Sequence, residues 1–171
     1  MTFALGDLSF DNPGAAMSTP RRRYSLMMTA LLTVGLLAGP LSPPATASVS
    51  GSYERSISVH SNRYRAADDR VALKKSKCLD RYAERQARRM AKKQRMYHQH
   101  MGPILRRCHL SQVGENVAVG FPKGRAVTRA WMMSPGHRKN LLNQRHRLIG
   151  VGAYQDAHGR WYVSQVLGRR A

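Results

Sequence analysis

The sequence is poor in acidic residues. Only 9 Asp and Glu stand against 29 Lys and Arg in 171 residues, so the formal net charge is +20. A charge of this sign and size favours polyanionic partners, such as an anionic cell-envelope polymer or lipid headgroups. The sequence has no helix-turn-helix pattern and no basic stripe interleaved with aromatic residues, so we expect no specific recognition of nucleic acid. The alternative is an arginine-rich, solvated surface without a dedicated partner.

Long apolar runs are also scarce. The mostly apolar stretch at residues 24–39 is shorter than the roughly 20 residues that a transmembrane helix needs. It follows three arginines, at positions 21–23, and precedes Ala45-Thr46-Ala47, which is the pattern of a secretory signal peptide. We predict export to the extracellular space with cleavage after Ala47, and an uncleaved membrane anchor is the alternative. Cleavage would remove three arginines and two aspartates and leave a net charge of +19.

Cysteine is nearly absent, since only Cys78 and Cys108 occur. Their spacing is not that of a CxxC motif, and a lone catalytic thiol would not need the second cysteine. In an exported protein, two cysteines allow one intramolecular pairing. We therefore predict a structural Cys78–Cys108 disulfide.

The remaining chain reads as a single domain with an α+β pattern. We assign residues 1–47 to an N-terminal extension and signal peptide, residues 48–56 to a flexible lead-in rich in Ser and Gly, and residues 57–171 to the domain. Apolar periodicity and helix-start signals predict helices at residues 58–68, 77–95, 124–133 and 135–142. Strands are predicted at residues 116–119, 148–155 and 160–167, the last two as a hairpin.

Three residues capable of metal or proton chemistry lie at the ends of predicted elements. His98 follows the long helix just before a Gly-Pro break, Glu115 precedes a strand, and His137 falls in the first turn of the last helix. A helix N-terminus disfavours the imidazolium ion, so we expect His137 to be neutral near neutral pH. Two imidazoles and a carboxylate match an open zinc site, although this spacing is not diagnostic.

Several motifs carry a family resemblance over residues 57–169. They are, in order, RQARRM at residues 85–90, His98, Gly114-Glu115-Asn116, Trp131, SPGHR at residues 134–138, IGVG at residues 149–152 and WYVSQVLG at residues 161–168. With these motifs the chain resembles the bacterial, secreted branch of the cysteine-rich secretory, antigen 5 and pathogenesis-related (CAP, or SCP-like) superfamily. The resemblance implies a three-layer α-β-α sandwich.

The resemblance also implies a cleft, but with a changed set of residues. Better-known eukaryotic members carry two histidines and two glutamates, of which His98 and Glu115 match the first of each. The second glutamate falls on Ser134 and the second histidine on about Tyr162. His137 is therefore the expected substitute, which gives a His98–Glu115–His137 site that could hold Zn2+.

Less specific roles for these residues stay open. Glu115 could serve only to hold a turn, and His137 could merely pack within the helix. Ser134 is better explained as a helix cap than as a nucleophile, because no acid in its segment completes a triad. The other histidines are expected at the surface, although His100 is an alternative to His98; they are His60, His100, His109, His146 and His158.

Three functions follow from this site and this charge. The first is a secreted CAP-domain protein of the cell envelope or extracellular space, monomeric, with a cleft that binds a divalent metal or a small ligand. The second is a zinc-dependent hydrolase in which His98 and His137 hold the metal and Glu115 is a general base or a third ligand. The third is a cationic envelope-binding or antimicrobial factor that acts through its surface charge.

Overall fold

The fold is organised around a four-stranded sheet with helices on both faces. A computed structural model describes residues 45–171, with side chains from residue 49 onward, so the predicted signal peptide lies outside the described residues except for its last three positions. This part of the chain contains five helices and four strands. In order they are α1 Ala45–Ala66, β1 Lys74–Lys75, α2 Lys77–Lys92, α3 Met101–Arg107, β2 Leu110–Val119, α4 Gly124–Met133, α5 Pro135–Leu141, β3 Leu148–Gln155 and β4 Trp161–Arg170.

The strands lie in the order β1-β3-β4-β2, so β2 is at an edge of the sheet. The predicted hairpin is confirmed as β3 and β4, which pair antiparallel from Leu148↔Gly168 to Gln155↔Trp161. Strand β2 pairs antiparallel with the other side of β4 and begins six residues earlier than the predicted strand. The short β1 pairs parallel with β3 and was not predicted.

Helix α2 packs directly on one face of the sheet. A Cβ atom at Gly150 would lie 2.2 Å from the backbone carbon of Leu79, and one at Gly152 would lie 2.2 Å from the backbone nitrogen of Glu84. Only glycine therefore allows β3 to approach α2 this closely. The predicted apolar face of α2 is confirmed, since Ala83, Ala87 and Met90 are fully buried.

The opposite face of the sheet is covered by α1 and α4. Ile149 and Val151 of β3 join Ile57 of α1 and Val127 and Trp131 of α4 in one buried cluster. Alternation along β3 thus sends even-numbered residues toward α2 and odd-numbered residues toward α1 and α4. The described residues form the expected α+β domain with three layers, α-β-α.

The expected flexible lead-in over residues 48–56 is wrong, because these residues belong to α1. Tyr53 is only 6% exposed and its ring stacks on that of Trp161 at a centroid distance of 4.5 Å. The Tyr53 hydroxyl also donates a hydrogen bond to the carbonyl of Phe121. Tyr53 and Ile57 thus bury one face of this part of α1. Their partners lie far along the chain, so the local content of Ser and Gly does not reveal them.

A buried arginine holds the chain between α5 and β3. Arg65 is fully buried, and its five N–H groups donate to the carbonyls of Val71, Leu141, Asn143 and His146, with Val71 accepting twice. The dipoles of these carbonyls thus take the place of a carboxylate partner. One of them, the carbonyl of Leu141, lies at the end of α5. His146, expected at the surface, is 1% exposed because this turn is drawn into the core.

The predicted disulfide is present. Cys78 in the first turn of α2 is bonded to Cys108 at the end of α3, with the two Cα atoms 5.8 Å apart. The bond closes a loop that contains the connection between α2 and α3, and His98 lies in this connection. It therefore ties the segment carrying His98 to the layer formed by α2.

Candidate functional site

Glu115 is the centre of the candidate site and lies on the edge strand β2. Its carboxylate is 2% exposed and accepts four hydrogen bonds. Oε2 accepts from His98 Nδ1 at 2.9 Å and from the backbone N–H of Gln99 at 3.2 Å. Oε1 accepts from Gln99 Nε2 at 2.7 Å and from the hydroxyl of Ser164 on β4 at 2.7 Å. Both oxygens therefore have their acceptor positions filled.

His98 is held by this carboxylate and remains open to solvent. Its side chain is 58% exposed, and within the described residues Nε2 makes no hydrogen bond. A carboxylate that accepts four hydrogen bonds has no proton to give, so Nδ1 of His98 is the donor. The proton on Nδ1 leaves the lone pair on Nε2 available to a ligand.

His137 approaches from α5, on the other face of β2. Its Nδ1 lies 2.9 Å from the hydroxyl of Ser134, and its carbonyl accepts from Asn116 Nδ2 at 3.3 Å. Ser134 occupies the predicted N-cap position, but its hydroxyl contacts the imidazole and makes no capping hydrogen bond. Burial, and then the nearby charge of His98, lower the pKa of His137, as expected for an imidazole that stays neutral near neutral pH.

Helices α4 and α5 cover the outer edge of β2 through side-chain donors. Asn140 Nδ2 donates to the carbonyl of Glu115 at 3.1 Å, and Trp131 Nε1 donates to the carbonyl of Val117 at 3.1 Å. These carbonyls lie on the side of β2 without a neighbouring strand, where an uncovered edge would be open to pairing with other chains. Asn140 also donates to Asn116 Oδ1, so α5 is fixed beside Glu115.

The structure brings His98 and Glu115 into direct contact and places His137 near enough for its pKa to respond to the charge of His98. Sequence reasoning missed two partners of the carboxylate, Gln99 and Ser164. Gln99 follows His98 directly, and Ser164 lies within a motif that the family resemblance already contained. The available signals were a polar residue inside the largely apolar strand β4, for Ser164, and a polar neighbour of His98 just before α3, for Gln99.

A separate pocket does not belong to this site. It has a volume of about 530 Å3 and lies between α1 and the start of α4, where Tyr53, Lys123 and Trp161 contribute to its walls. No histidine lines it. His98, Glu115 and His137 lie instead along the edge strand β2.

The donor set suits two imidazole ligands better than three ligands that include Glu115. In residues 45–171 no group of three or more His, Cys, Asp and Glu side chains is arranged to hold a metal ion. Glu115 would have to give up at least one of its four hydrogen bonds to become a ligand. The free Nε2 atoms of His98 and His137 remain, and Glu115 then has the role of orienting His98, as carboxylates commonly do for metal-bound histidines.

Comparison with known proteins agrees with the fold. The model of the cysteine-rich secretory protein family (CAP) matches residues 60–167, which include every residue of the site. The chain belongs to this family. Within residues 45–171, no helix of this CAP protein is long and apolar enough to cross a membrane.

Two curated relatives from Bacillus subtilis match shorter stretches. The uncharacterized protein YkwD is 45% identical over 56 residues, and the uncharacterized membrane protein YlbC is 46% identical over 54 residues. These matches cover 33% and 32% of the CAP protein, and 21% and 16% of the respective relatives. The chain thus spans only a small part of the curated relatives that it matches.

Solved structures of bacterial SCP-domain proteins share the fold. An extracellular protein containing an SCP domain from Bacillus anthracis is 26% identical with a TM-score of 0.68, covering 78% of this chain and 45% of that one. A cysteine-rich secretory protein from Staphylococcus aureus is 20% identical with a TM-score of 0.62, covering 71% of this chain and 39% of that one. The second likeness shows the fold alone.

Proposed function

We propose that this CAP protein acts outside the cell through a ligand-binding notch formed by His98 and His137, and that it binds a divalent metal or a small ligand there. The observation that carries the proposal is the Glu115 carboxylate, buried and fully hydrogen-bonded. A buried carboxylate that orients an exposed imidazole is the arrangement found behind metal-binding histidines. It holds His98 in one tautomer and leaves Nε2 free.

His137 supplies the second free nitrogen. Its lowered pKa keeps the ring neutral near neutral pH, and a neutral imidazole is the form that coordinates metal. When the Ser134 hydroxyl accepts from Nδ1–H, the lone pair of Nε2 is left for a ligand. A zinc ion bound by both rings would supply Lewis-acid chemistry, with open positions for water or substrate.

Binding accounts for these residues better than hydrolysis does. A hydrolase needs a general base within reach of the reacting water, and the carboxylate of Glu115 is engaged by His98, Gln99 and Ser164. Within the described residues, no carboxylate contacts His137, so Ser134 and His137 lack the third member of a triad. We therefore place hydrolysis second.

Extracellular action is supported by three observations. They are the signal-peptide pattern at residues 1–47, the Cys78–Cys108 disulfide, and the likeness to an extracellular protein of Bacillus anthracis. Intact-mass analysis of the protein from culture medium should give a chain that begins at Ser48. Medium that contains only chains still carrying residues 1–47 would contradict the predicted cleavage.

Zinc titration of the purified protein tests the notch. We expect one zinc ion per chain, and we expect His98→Ala and His137→Ala each to weaken binding at least about tenfold. His158→Ala is the matched control, because His158 is an exposed histidine in the turn between β3 and β4. Affinity should fall as the pH drops below roughly 6.5, where protons compete for the imidazoles.

Two results would refute the metal form of this proposal. One is zinc binding that survives both notch variants unchanged. The other is a loss in His158→Ala equal to the loss in the notch variants, which would mean that zinc binds to surface histidines at random.

A further inference from the structure

The exposed face of α2 is a continuous row of cations. Its six basic residues lie on the side of the helix that faces away from the sheet, and all six are exposed. They are Lys77, Arg81, Arg85, Arg88, Arg89 and Lys92. At 1.5 Å per residue the row is about 22 Å long. We call this row the α2 ridge.

The charges of the α2 ridge are not neutralised by neighbouring acids. Within residues 45–171 no carboxylate lies at ion-pair distance from any ridge residue. Of the two acids of α2, Asp80 is buried and pairs with Lys75. Glu84 is exposed beside Arg85 and Arg88 without an ion pair to either, so one acid stands against six basic residues. Arg85 and Arg89 donate from Nε to backbone carbonyls one turn earlier, which leaves their terminal N–H groups free for an anion.

Basic side chains also cover the aromatic rings beside the α2 ridge. The guanidinium of Arg85 lies 4.6 Å from the ring centroid of Tyr82, and that of Arg88 lies 5.3 Å from the centroid of Tyr154. At the end of the helix, Lys93 and Arg95 lie 5.5 and 5.4 Å from the centroid of Tyr97. Proteins that bind single-stranded nucleic acid stack bases on exposed aromatic rings. These covered rings favour a partner that has charge but no bases.

We propose that the α2 ridge binds a linear polyol-phosphate polymer, a chain of phosphodiesters separated by short carbon spacers. Arg81, Arg85 and Arg89 follow one another at about 6 Å along the helix axis. With a three-carbon spacer, six bonds separate successive phosphorus atoms, and at about 1.2 Å per bond in an extended chain the phosphates repeat at about 7 Å. Successive phosphates can therefore each meet one arginine.

A linear polymer also fits the shape of the ridge better than a membrane does. The ridge is one helix wide, and the large hydrophobic side chain exposed beside it, Tyr154, lies under Arg88. Stable binding to a bilayer surface combines basic charge with apolar side chains that enter the interface. The α2 ridge offers charge alone, which suits a soluble or wall-bound polyanion.

Binding of the full chain to poly(glycerol phosphate) at several salt concentrations tests this proposal. We expect the triple variant Arg81→Gln, Arg85→Gln, Arg89→Gln to bind about tenfold more weakly, and the slope of log Kd against log salt to fall by about 2–3 because three phosphate contacts are lost. The matched control is Lys123→Gln, Arg125→Gln, Arg129→Gln, at the N-cap and along α4 in the opposite layer, and it gives the same net charge. The control should change affinity less than about threefold.

Each of the following outcomes would overturn the proposal. Equal losses in the two triple variants would show that net charge alone drives binding. Tighter binding to a single-stranded oligonucleotide of equal charge, or binding only to vesicles containing phosphatidylglycerol, would identify a different partner. Circular dichroism checks that the variants are folded. The single variant Arg85→Gln, expected to reduce the slope by about 1, keeps the test decisive if the ridge triple does not fold.

Discussion

Replacing Glu115 by glutamine tests both the stability and the chemistry of the notch. Glutamine has nearly the shape of glutamate but carries an NH2 group where one oxygen was. Placed at the position of Oε2, the NH2 group would face His98 Nδ1 and the backbone N–H of Gln99, which both donate. Placed at the position of Oε1, it faces the hydroxyl of Ser164 and the side-chain amide of Gln99, and both of these can accept after rotation. We expect the second placement, because it leaves every partner with a hydrogen bond.

The oxygen of the glutamine then stays opposite His98 Nδ1 and the backbone N–H of Gln99, so His98 keeps its tautomer. A neutral amide oxygen is a weaker acceptor than a carboxylate. Hydrogen bonds to charged groups contribute about 1.5–3 kcal/mol and neutral ones about 0.5–1.5 kcal/mol, so the free energy of unfolding should fall by about 1–2 kcal/mol. The weaker hydrogen bond also makes the His98 imidazole a poorer ligand, and metal affinity should fall about 10- to 100-fold.

Nitrogen NMR of the imidazole rings distinguishes the two tautomers of His98 directly. We expect the proton on Nδ1 both in the native protein and in Glu115→Gln, with weaker zinc binding by the variant in titration. Urea unfolding measures the loss of stability. Glu84→Gln is the matched control, since it removes the same charge from an exposed position. It should leave both the tautomer and the zinc affinity unchanged.

The reasoning fails if the proton of His98 moves to Nε2 in Glu115→Gln. It also fails if zinc affinity is the same in Glu115→Gln and Glu84→Gln, because the carboxylate would then have no effect on the imidazole as a ligand. A loss of stability without weaker zinc binding would assign Glu115 to the fold alone.

Three further predictions concern the scaffold. Replacing Cys78 and Cys108 by serine together should lower the free energy of unfolding by roughly 3–4 kcal/mol for a separation of 30 residues, and an unchanged urea midpoint would contradict this. Gly150→Ala should destabilise the fold by about 3 kcal/mol or more because the new Cβ meets the α2 backbone, whereas Gly136→Ala, with open space around it, should cost less than about 1 kcal/mol in thermal unfolding. Burial raises the pKa of Glu54 to about 7, so folding favours its protonated form, and the free energy of unfolding should fall as the pH rises from about 4.5 through 7. Glu54→Gln should therefore be more stable than the native protein at pH 8. Parallel curves of unfolding free energy against pH for the two proteins would refute this.

Local sequence signals were sufficient for the elements whose partners lie nearby or whose pattern is strongly periodic. Helix α4, Gly124–Met133, and strand β3, Leu148–Gln155, match the predicted bounds. The Ser134-Pro135 pair correctly marked the break between α4 and α5, because proline suits the first turn of a helix. The disulfide followed from there being only two cysteines.

Elements stabilised by distant partners were missed or cut short. The start of α1 depends on Tyr53 packing against Trp161, and the two-residue β1 exists only by pairing with β3. Strand β2 begins six residues before the predicted strand because it pairs with the end of β4. Such contacts bridge large separations along the chain, so no local window contains their cause.

For the candidate site, too, one part could be predicted from sequence and the other depends on tertiary structure. Residue types and family motifs were enough to select His98, Glu115 and His137, and composition alone established the strong positive charge. Tertiary structure decided which contacts these residues make. Hydrogen bonds from Ser164 and Gln99 occupy acceptor positions of the Glu115 carboxylate. Helix α5 covers the edge of β2 and thereby places His137 beside the strand. Sequence determines which chemical groups are available, whereas burial and hydrogen bonding, which depend on distant residues, decide which of their atoms remain free to bind.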